Sequence, residues 1–94
     1  MESGWKKELI QLILSVKDEN EAESLLEGLL TPAEFKEFVK RWQIIKLLLE
    51  RHTQRFVKGR VKVSIATVIR GAREVRYGKS NFQKFYSRIY PKNA

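Results

Sequence analysis

The side chains best suited to binding chemistry lie in a basic stretch of the chain. Between residues 51 and 79 there are nine Lys or Arg residues and one acidic residue, Glu74. Residues 35–94 carry a net charge of +13, whereas residues 1–34 carry −5. A surface this basic is typical of a protein that binds a polyanion. The charge pattern therefore favours nucleic acid as the partner, with an anionic membrane surface or an acidic protein as alternatives.

Residues 53–76 have two different faces when they are read with helical spacing. One face is expected to pack on the core, and it carries Val61, Ile65, Val68, Ala72 and Val75. The other face begins with two apolar residues and is otherwise basic or aromatic, and it carries Ala66, Ile69, Arg70, Arg73 and Tyr77. Small and apolar leading residues let a helix approach base edges, while flanking arginines contact phosphate or guanine. The second face predicts a DNA-reading helix, with a solvated surface helix as the alternative.

Helices are expected to position these side chains, because apolar residues recur with helical spacing along the chain. Five glycines and two prolines are too few for a chain of strands and hairpins. Helix starts are expected at Trp5, Asp18, Thr31, Thr53, Ser64 and Ser80. The sequence predicts an all-α fold of about six helices, with a helix-turn-helix at about 53–76.

Individual start and stop signals refine this prediction. Thr31, Pro32 and Glu34 have the spacing of a capping box, and the helix that they open keeps apolar spacing to about Arg51. Gly78 is expected to end the following basic helix in a left-handed conformation. Ser80 is expected to cap the last helix.

The 94 residues are enough for one domain, predicted to span residues 1–94. A chain this short buries only about 60–65% of the surface of its unfolded form, so we expect a homodimer. With no cysteine and one histidine, the sequence lacks thiol chemistry, and it also lacks a Gly-rich phosphate loop and a histidine partner for a serine. These features predict that the protein is not an enzyme and holds no metal.

The sequence offers nothing that directs the chain into or across a membrane. Its apolar stretches are shorter than the roughly 20 residues that a membrane helix needs. Its first residues lack the basic start and cleavage pattern of a secretory signal. We therefore expect a cytoplasmic protein with no membrane partner.

Four segments resemble the Trp repressor family in the same order and nearly the same spacing. They are Leu30–Glu34, the Arg41 to Leu49 stretch with its paired apolar residues, Thr53–Arg55, and Ile65–Gly71 with the pattern IAT-x-x-RG. The resemblance covers about residues 25–90. The Tyr77-Gly78 pair and the Phe-rich last helix look closer to the YerC/YecD-type relatives.

This resemblance implies an intertwined homodimer that binds double-stranded DNA under control of a small-molecule effector. In classical members the corepressor is L-tryptophan, so L-tryptophan or a related aromatic amino acid is expected here. Matching positions assign DNA contacts to Gln54, Arg55, Lys58, Ser64, Ile65, Ala66 and Ile69, to which the basic helix face adds Arg73. They assign ligand contacts to Leu30, Thr31, Arg41, Arg70, Gly71 and Glu74.

The ligand positions have different expected roles. Arg41 and Arg70 match two arginines that sandwich the ligand ring and hold its carboxylate. Gly71 matches a glycine beside the ring, and Leu30 and Thr31 match contacts from the partner chain. Arg41 has an alternative role, in which it pairs with a glutamate of its own helix, either Glu34 or Glu37.

Several positions depart from the family pattern. Lys62 occupies the turn position that usually holds glycine, so it must adopt a left-handed conformation at about 1 kcal/mol or re-route the turn. Glu74 replaces a serine and either binds the ligand ammonium or pairs with Arg70 and fills the pocket. Ile69 replaces a threonine that contacts bases, so a different operator is expected. Gly28 replaces a leucine beside the pocket.

Two other functions remain open at this point. One is an effector-independent DNA-binding protein, and the other is a basic adaptor that docks an acidic protein. The histidine, His52, is expected to be a solvated surface group.

Overall fold

The computed structural model describes residues 2–93. The described part is helical throughout and contains no strand. Its elements are α1 (Trp5–Leu14), α2 (Glu19–Leu29), α3 (Pro32–Leu49), α4 (Gln54–Val61), α5 (Ile65–Tyr77), α6 (Phe82–Ile89) and a 3-10 turn at Pro91–Asn93. The predicted all-α fold is therefore confirmed. None of the described helices has the length and apolar character that crossing a membrane requires.

The chain forms two compact units, Met1–Lys36 and Glu37–Ala94. In the first unit, neither α1 nor α2 has a buried residue. The large apolar side chains of α1 are between 41% and 77% exposed, and they are Trp5, Leu9, Ile10, Leu12, Ile13 and Leu14. The apolar face of α1 thus remains accessible in the single chain.

Side-chain caps begin α2 and α3 where the sequence predicts them. Asp18 Oδ1 accepts a hydrogen bond from the Glu21 N–H at 2.8 Å. At the start of α3, Thr31 Oγ1 accepts from the Glu34 N–H at 3.2 Å, and the Thr31 N–H donates to Glu34 Oε1 at 2.8 Å. The hydrogen bond from the Thr31 backbone, and then the Thr31 side chain, lower the pKa of Glu34. The capping box is confirmed.

The second unit contains the buried core. Ile44 of α3, Val57 of α4 and Val68 of α5 are at most 2% exposed and form one cluster. Partly buried apolar residues pack against this cluster, and they are Leu47, Leu48, Val61 and Val63. Helix α6 contacts the residue that follows α3, because the Tyr86 hydroxyl donates to Glu50 Oε2 at 2.8 Å. This core joins α3 directly to the α4–α5 pair.

Three local predictions are wrong. Ile65 is 43% exposed rather than buried, because it is the first residue of α5 and lies beyond the core cluster. Gly78 has φ −69° and ψ 157°, so it does not end α5 in the left-handed region. A Cβ at Gly78 would instead collide with the side chain and carbonyl oxygen of Glu74. Ser80 does not cap α6, because Asn81 Oδ1 accepts from the Lys84 N–H at 3.2 Å.

Candidate nucleic-acid interface and ligand cleft

Helices α4 and α5 are joined by a three-residue turn that depends on a left-handed residue. Lys62 has φ 62° and ψ 55°, and the Val63 N–H donates to the Lys58 carbonyl at 3.3 Å. The left-handed alternative for Lys62 is thus the one the chain adopts, at a cost of about 1 kcal/mol. The turn sets the start of α5 close against α4.

Capping side chains fix the first turns of both helices. Thr53 Oγ1 accepts from the Phe56 N–H at 3.1 Å, and Ser64 Oγ accepts from the Thr67 N–H at 3.2 Å. Both caps agree with the sequence prediction. They satisfy amide groups that the first turn of a helix otherwise leaves without partners.

The predicted DNA contacts all lie on the surface of this helix pair. Each one is exposed, namely Gln54, Arg55, Lys58, Ser64, Ile65, Ala66, Ile69 and Arg73. Ile65 and Ile69 are both 43% exposed although they are apolar. The surface therefore combines cationic side chains with accessible small and apolar ones, the combination that base and phosphate contacts require.

A cleft of about 640 Å³ lies between α3 and α5, and we call it the Arg41 cleft. Its lining comes from α3, α5, the α4–α5 turn and α6, and consists of Glu37, Lys40, Arg41, Ile44, Ile45, Val63, Thr67, Arg70, Gly71, Glu74 and Phe82. Four predicted ligand residues are brought together here, namely Arg41, Arg70, Gly71 and Glu74. Leu30 and Thr31 are not part of this lining, and the Thr31 side chain caps α3.

Neither arginine of the cleft forms the ion pair that the sequence analysis considered, which was with Glu34 or Glu37 for Arg41 and with Glu74 for Arg70. Among residues 2–93, the ion pair within 4.0 Å joins Lys46 to Glu50 and involves neither arginine. The Arg41 guanidinium carbon instead lies 5.8 Å from the centre of the Phe38 ring. The Glu74 side chain runs along α5 toward Gly78.

Gly71 allows the close approach of α5 to α3 at the floor of the cleft. A Cβ at this position would lie 2.7 Å from Ile44 Cγ2 and 3.8 Å from Leu48 Cδ1. Contacts as short as 2.7 Å between carbon atoms are repulsive, so a larger residue must move one helix or the Ile44 side chain. Glycine at 71 thus determines how closely the two arginine-bearing helices pack.

The charge of the cleft is mixed. Lys40, Arg41 and Arg70 are cationic, while Glu37 and Glu74 are anionic. Guanidinium groups bind carboxylates in two-point hydrogen bonds and stack on aromatic rings, and carboxylates bind ammonium groups. The arrangement can therefore hold a planar ligand that carries both a carboxylate and an ammonium group.

Seven residues of the lining were not predicted as ligand contacts, namely Glu37, Lys40, Ile44, Ile45, Val63, Thr67 and Phe82. Glu37 lies four residues before Arg41 on the same face of α3, and Lys40 is the direct neighbour of Arg41 in sequence, so both could have been found by extending the search from Arg41. Phe82 has no local signal, because it reaches the cleft from α6, and its ring centre lies 6.4 Å from that of Trp42.

Comparisons with known proteins agree with this geometry. The family model described as "Trp repressor protein" matches residues 3–89. The chain is also similar to a solved structure of a TrpR-like protein from Eubacterium eligens ATCC 27750, with a TM-score of 0.82 and 30% identity over 88% of this chain and 86% of that chain. No curated protein sequence matches the chain.

Proposed function

Because the chain belongs to the Trp repressor family, a family of DNA-binding regulators, we propose that it is a cytoplasmic, sequence-specific transcriptional repressor. It acts as a homodimer and is controlled by a corepressor, L-tryptophan or a related aromatic amino acid. The observation that carries this proposal is the Arg41 cleft, which has a ligand-sized volume and borders the same helix as the exposed DNA-facing residues. It is not proposed to catalyse a reaction.

The ligand is held between two guanidiniums. Arg41 on α3 and Arg70 on α5 stack on opposite faces of the ring, and one of them also pairs with the ligand carboxylate. Gly71 leaves room beside the ring, since it carries no side chain. Glu74 takes the ligand ammonium after its side chain turns from Gly78 into the cleft.

Ligand binding is coupled to DNA binding through α5. This helix carries Arg70 in the cleft and Ala66 and Ile69 on the DNA-facing surface, so a ligand that fixes α5 against α3 also fixes the reading surface. The coupling free energy is reciprocal, and DNA must therefore tighten ligand binding by the same factor. Gln54, Arg55 and Lys58 on α4 hold the DNA backbone and the neighbouring base edges.

A second copy of the chain completes the assembly. The exposed apolar face of α1 supports a homodimer, because large side chains such as Trp5 at 59% and Leu14 at 77% exposure are usually covered in a stable protein. Leu30 and Thr31 are proposed to reach the ligand of the partner copy. Sedimentation is expected to give about twice 11.1 kDa, and a monomer at micromolar concentration contradicts this part of the proposal.

The proposal is tested by selecting bound sequences from random duplexes, with and without a panel of amino acids. A palindromic consensus that strengthens with L-tryptophan or a relative is the expected result. A consensus that no amino acid changes supports the effector-independent alternative. If no duplex is enriched, the adaptor reading, in which the basic face docks an acidic protein, replaces the proposal.

Calorimetry tests the ligand separately from the DNA. L-tryptophan, indole carboxylic acids and other amino acids are titrated into the parent protein and into Arg41→Ala. Heat of binding that Arg41→Ala removes supports the corepressor assignment. If no ligand binds and Arg41→Ala leaves DNA affinity unchanged, the corepressor is excluded while DNA binding stands.

A further inference from the structure

A second cleft of about 430 Å³ borders a different face of α5, and we call it the His52 cleft. It is lined from the end of α3, the start of α4 and the C-terminal part of α5 by Leu48, His52, Thr53, Gln54, Ile69, Ala72, Arg73, Val75, Arg76 and Tyr77. Gln54, Ile69 and Arg73 are also predicted DNA contacts. The cleft is therefore continuous with the surface that is proposed to bind DNA.

The lining of the His52 cleft contains cationic and neutral side chains and no anionic one. Arg73 and Arg76 come from α5, His52 lies just before α4, and no Asp or Glu is part of the lining. Arg51 precedes His52 in the chain, and the nearest carboxylate in sequence, Glu50, accepts the hydrogen bond of the Tyr86 hydroxyl. A cleft of this composition favours an anion, because nothing within it neutralises the arginines.

The position of His52 is fixed by its backbone and its ring. Its N–H donates to the Leu47 carbonyl at 3.1 Å, where Arg51 reverses the chain with φ 69°. The imidazole stacks on Phe56 of the first α4 turn, with ring centres 4.4 Å apart and planes 18° apart. The ring thus packs on Phe56 and lines the same cleft as Arg73 and Arg76.

We propose that the His52 cleft binds a backbone phosphate of the DNA and that protonation of His52 strengthens this contact. The inference rests on the proposed function, since DNA supplies the phosphate. An imidazole changes charge between about pH 5 and 8. A bound phosphate attracts a cationic imidazole more strongly than a neutral one. DNA binding therefore takes up protons, and affinity rises as the pH falls below neutrality.

Three proteins test the proposal by anisotropy titration of one selected duplex between about pH 7.5 and 5.5. In the parent protein, affinity is expected to rise about two- to fivefold for each occupied cleft. The slope of log affinity against log salt is expected to steepen by up to about 0.9 per cleft. His52→Gln is expected to lose both changes. His52→Arg is expected to bind at about pH 7.5 as the parent does at about pH 5.5, and to show little pH dependence.

Lys84→Gln is the matched control, because Lys84 is exposed on α6 and lines neither cleft. Its pH response is expected to equal that of the parent. The chain has one histidine, so the difference between the parent and His52→Gln isolates this side chain. Calorimetry in buffers of different ionisation enthalpy is expected to detect proton uptake in the parent but not in His52→Gln.

Three other outcomes would contradict the role of His52, the binding of DNA phosphate in this cleft, or the proposed function. Equal pH responses of the parent and His52→Gln overturn the assignment of His52. If inorganic pyrophosphate binds in a His52-dependent way while DNA affinity does not depend on His52, the cleft takes a free phosphate compound and the DNA assignment is wrong. Failure of every duplex to bind at any pH refutes the proposed function itself.

Discussion

The Arg41 cleft and the His52 cleft share one helix but differ in charge. The Arg41 cleft combines three cationic groups with two carboxylates, whereas the His52 cleft has no carboxylate. Arg70 and Arg73 lie on the same side of α5, about 60° apart around the helix axis, and the two clefts flank this side, so that Arg70 lines the first cleft and Arg73 the second. A single helix can thus present a mixed site for a zwitterion on one side and a purely cationic site for phosphate on the other.

Replacing one arginine at a time is expected to produce the largest difference between the two clefts. Arg70→Gln is expected to weaken L-tryptophan binding about ten- to a hundredfold, because a charge-assisted hydrogen bond contributes about 1.5–3 kcal/mol. Arg73→Gln is expected to leave ligand binding unchanged, but to weaken DNA binding and lower the salt slope by about 0.9. Calorimetry and anisotropy measure the two effects. If both variants affect both partners equally, the two clefts are not separate sites.

A methyl group at Gly71 tests the packing that distinguishes the two clefts. Gly71→Ala is expected to lower the free energy of unfolding by about 1–3 kcal/mol, because its Cβ would press on Ile44. Gly59→Ala is the control, since nothing lies within 4 Å of a Cβ there. That substitution is expected to be neutral or to stabilise α4 by up to about 1 kcal/mol. Urea unfolding compares them, and equal stability of the two variants contradicts the close approach of α5 to α3.

The turn between α4 and α5 contributes Val63 to the lining of the Arg41 cleft. Lys62→Gly is expected to raise the free energy of unfolding by about 0.5–1 kcal/mol, because glycine adopts the left-handed conformation without steric cost. Lys58→Gly, within α4, is expected to lower it by about 1 kcal/mol. Thermal and urea unfolding measure both variants. A destabilising Lys62→Gly would mean that the lysine side chain has a role beyond the turn.

The smallest expected effect is the contribution of Glu34 to the pH dependence of folding stability. It is measured on the protein without DNA, so it is distinct from the pH dependence of DNA binding. The pKa of Glu34 is lowered in the folded chain, mainly by the Thr31 backbone N–H. Its contribution to stability is therefore complete above the ordinary pKa of 4.5 and is lost as the pH falls through the lowered value. Glu34→Gln is expected to reduce the loss of thermal stability below that pH. A difference in thermal stability between Glu34→Gln and the parent protein that appears only near neutral pH would contradict the assignment to Glu34.

The sequence predicted the helix starts because capping is local. Asp18, Thr31, Thr53 and Ser64 each accept from an amide three residues ahead, so their spacing alone carries the signal. The same rule could not choose between Ser80 and Asn81, since both are adjacent and both are favourable caps. Conformation at Gly78 was also missed, because the contact with Glu74 that requires glycine depends on the path of the chain after α5.

The clefts were harder to predict, because they join residues that are distant in the chain. The grouping of Arg41 with Arg70 came from the family resemblance, since no local pattern links two helices that are separated by a third. His52 was expected to be a solvated surface group because it lies in a loop at a helix end next to Arg51, and it is exposed in the structure. Its stacking on Phe56 depends on the left-handed turn at Arg51, which the sequence does not signal.

The central claim is that the exposed face of α5 reads DNA, and one substitution tests it directly. Ala66→Glu places a carboxylate at the second residue of α5, where the helix is proposed to meet the groove floor and phosphates. Ala33→Glu is the matched control, because Ala33 is the exposed second residue of α3. Anisotropy with the selected duplex is expected to show a loss of at least about tenfold to a hundredfold for Ala66→Glu and none for Ala33→Glu. If Ala66→Glu binds the duplex as tightly as the parent protein, α5 is not the reading helix.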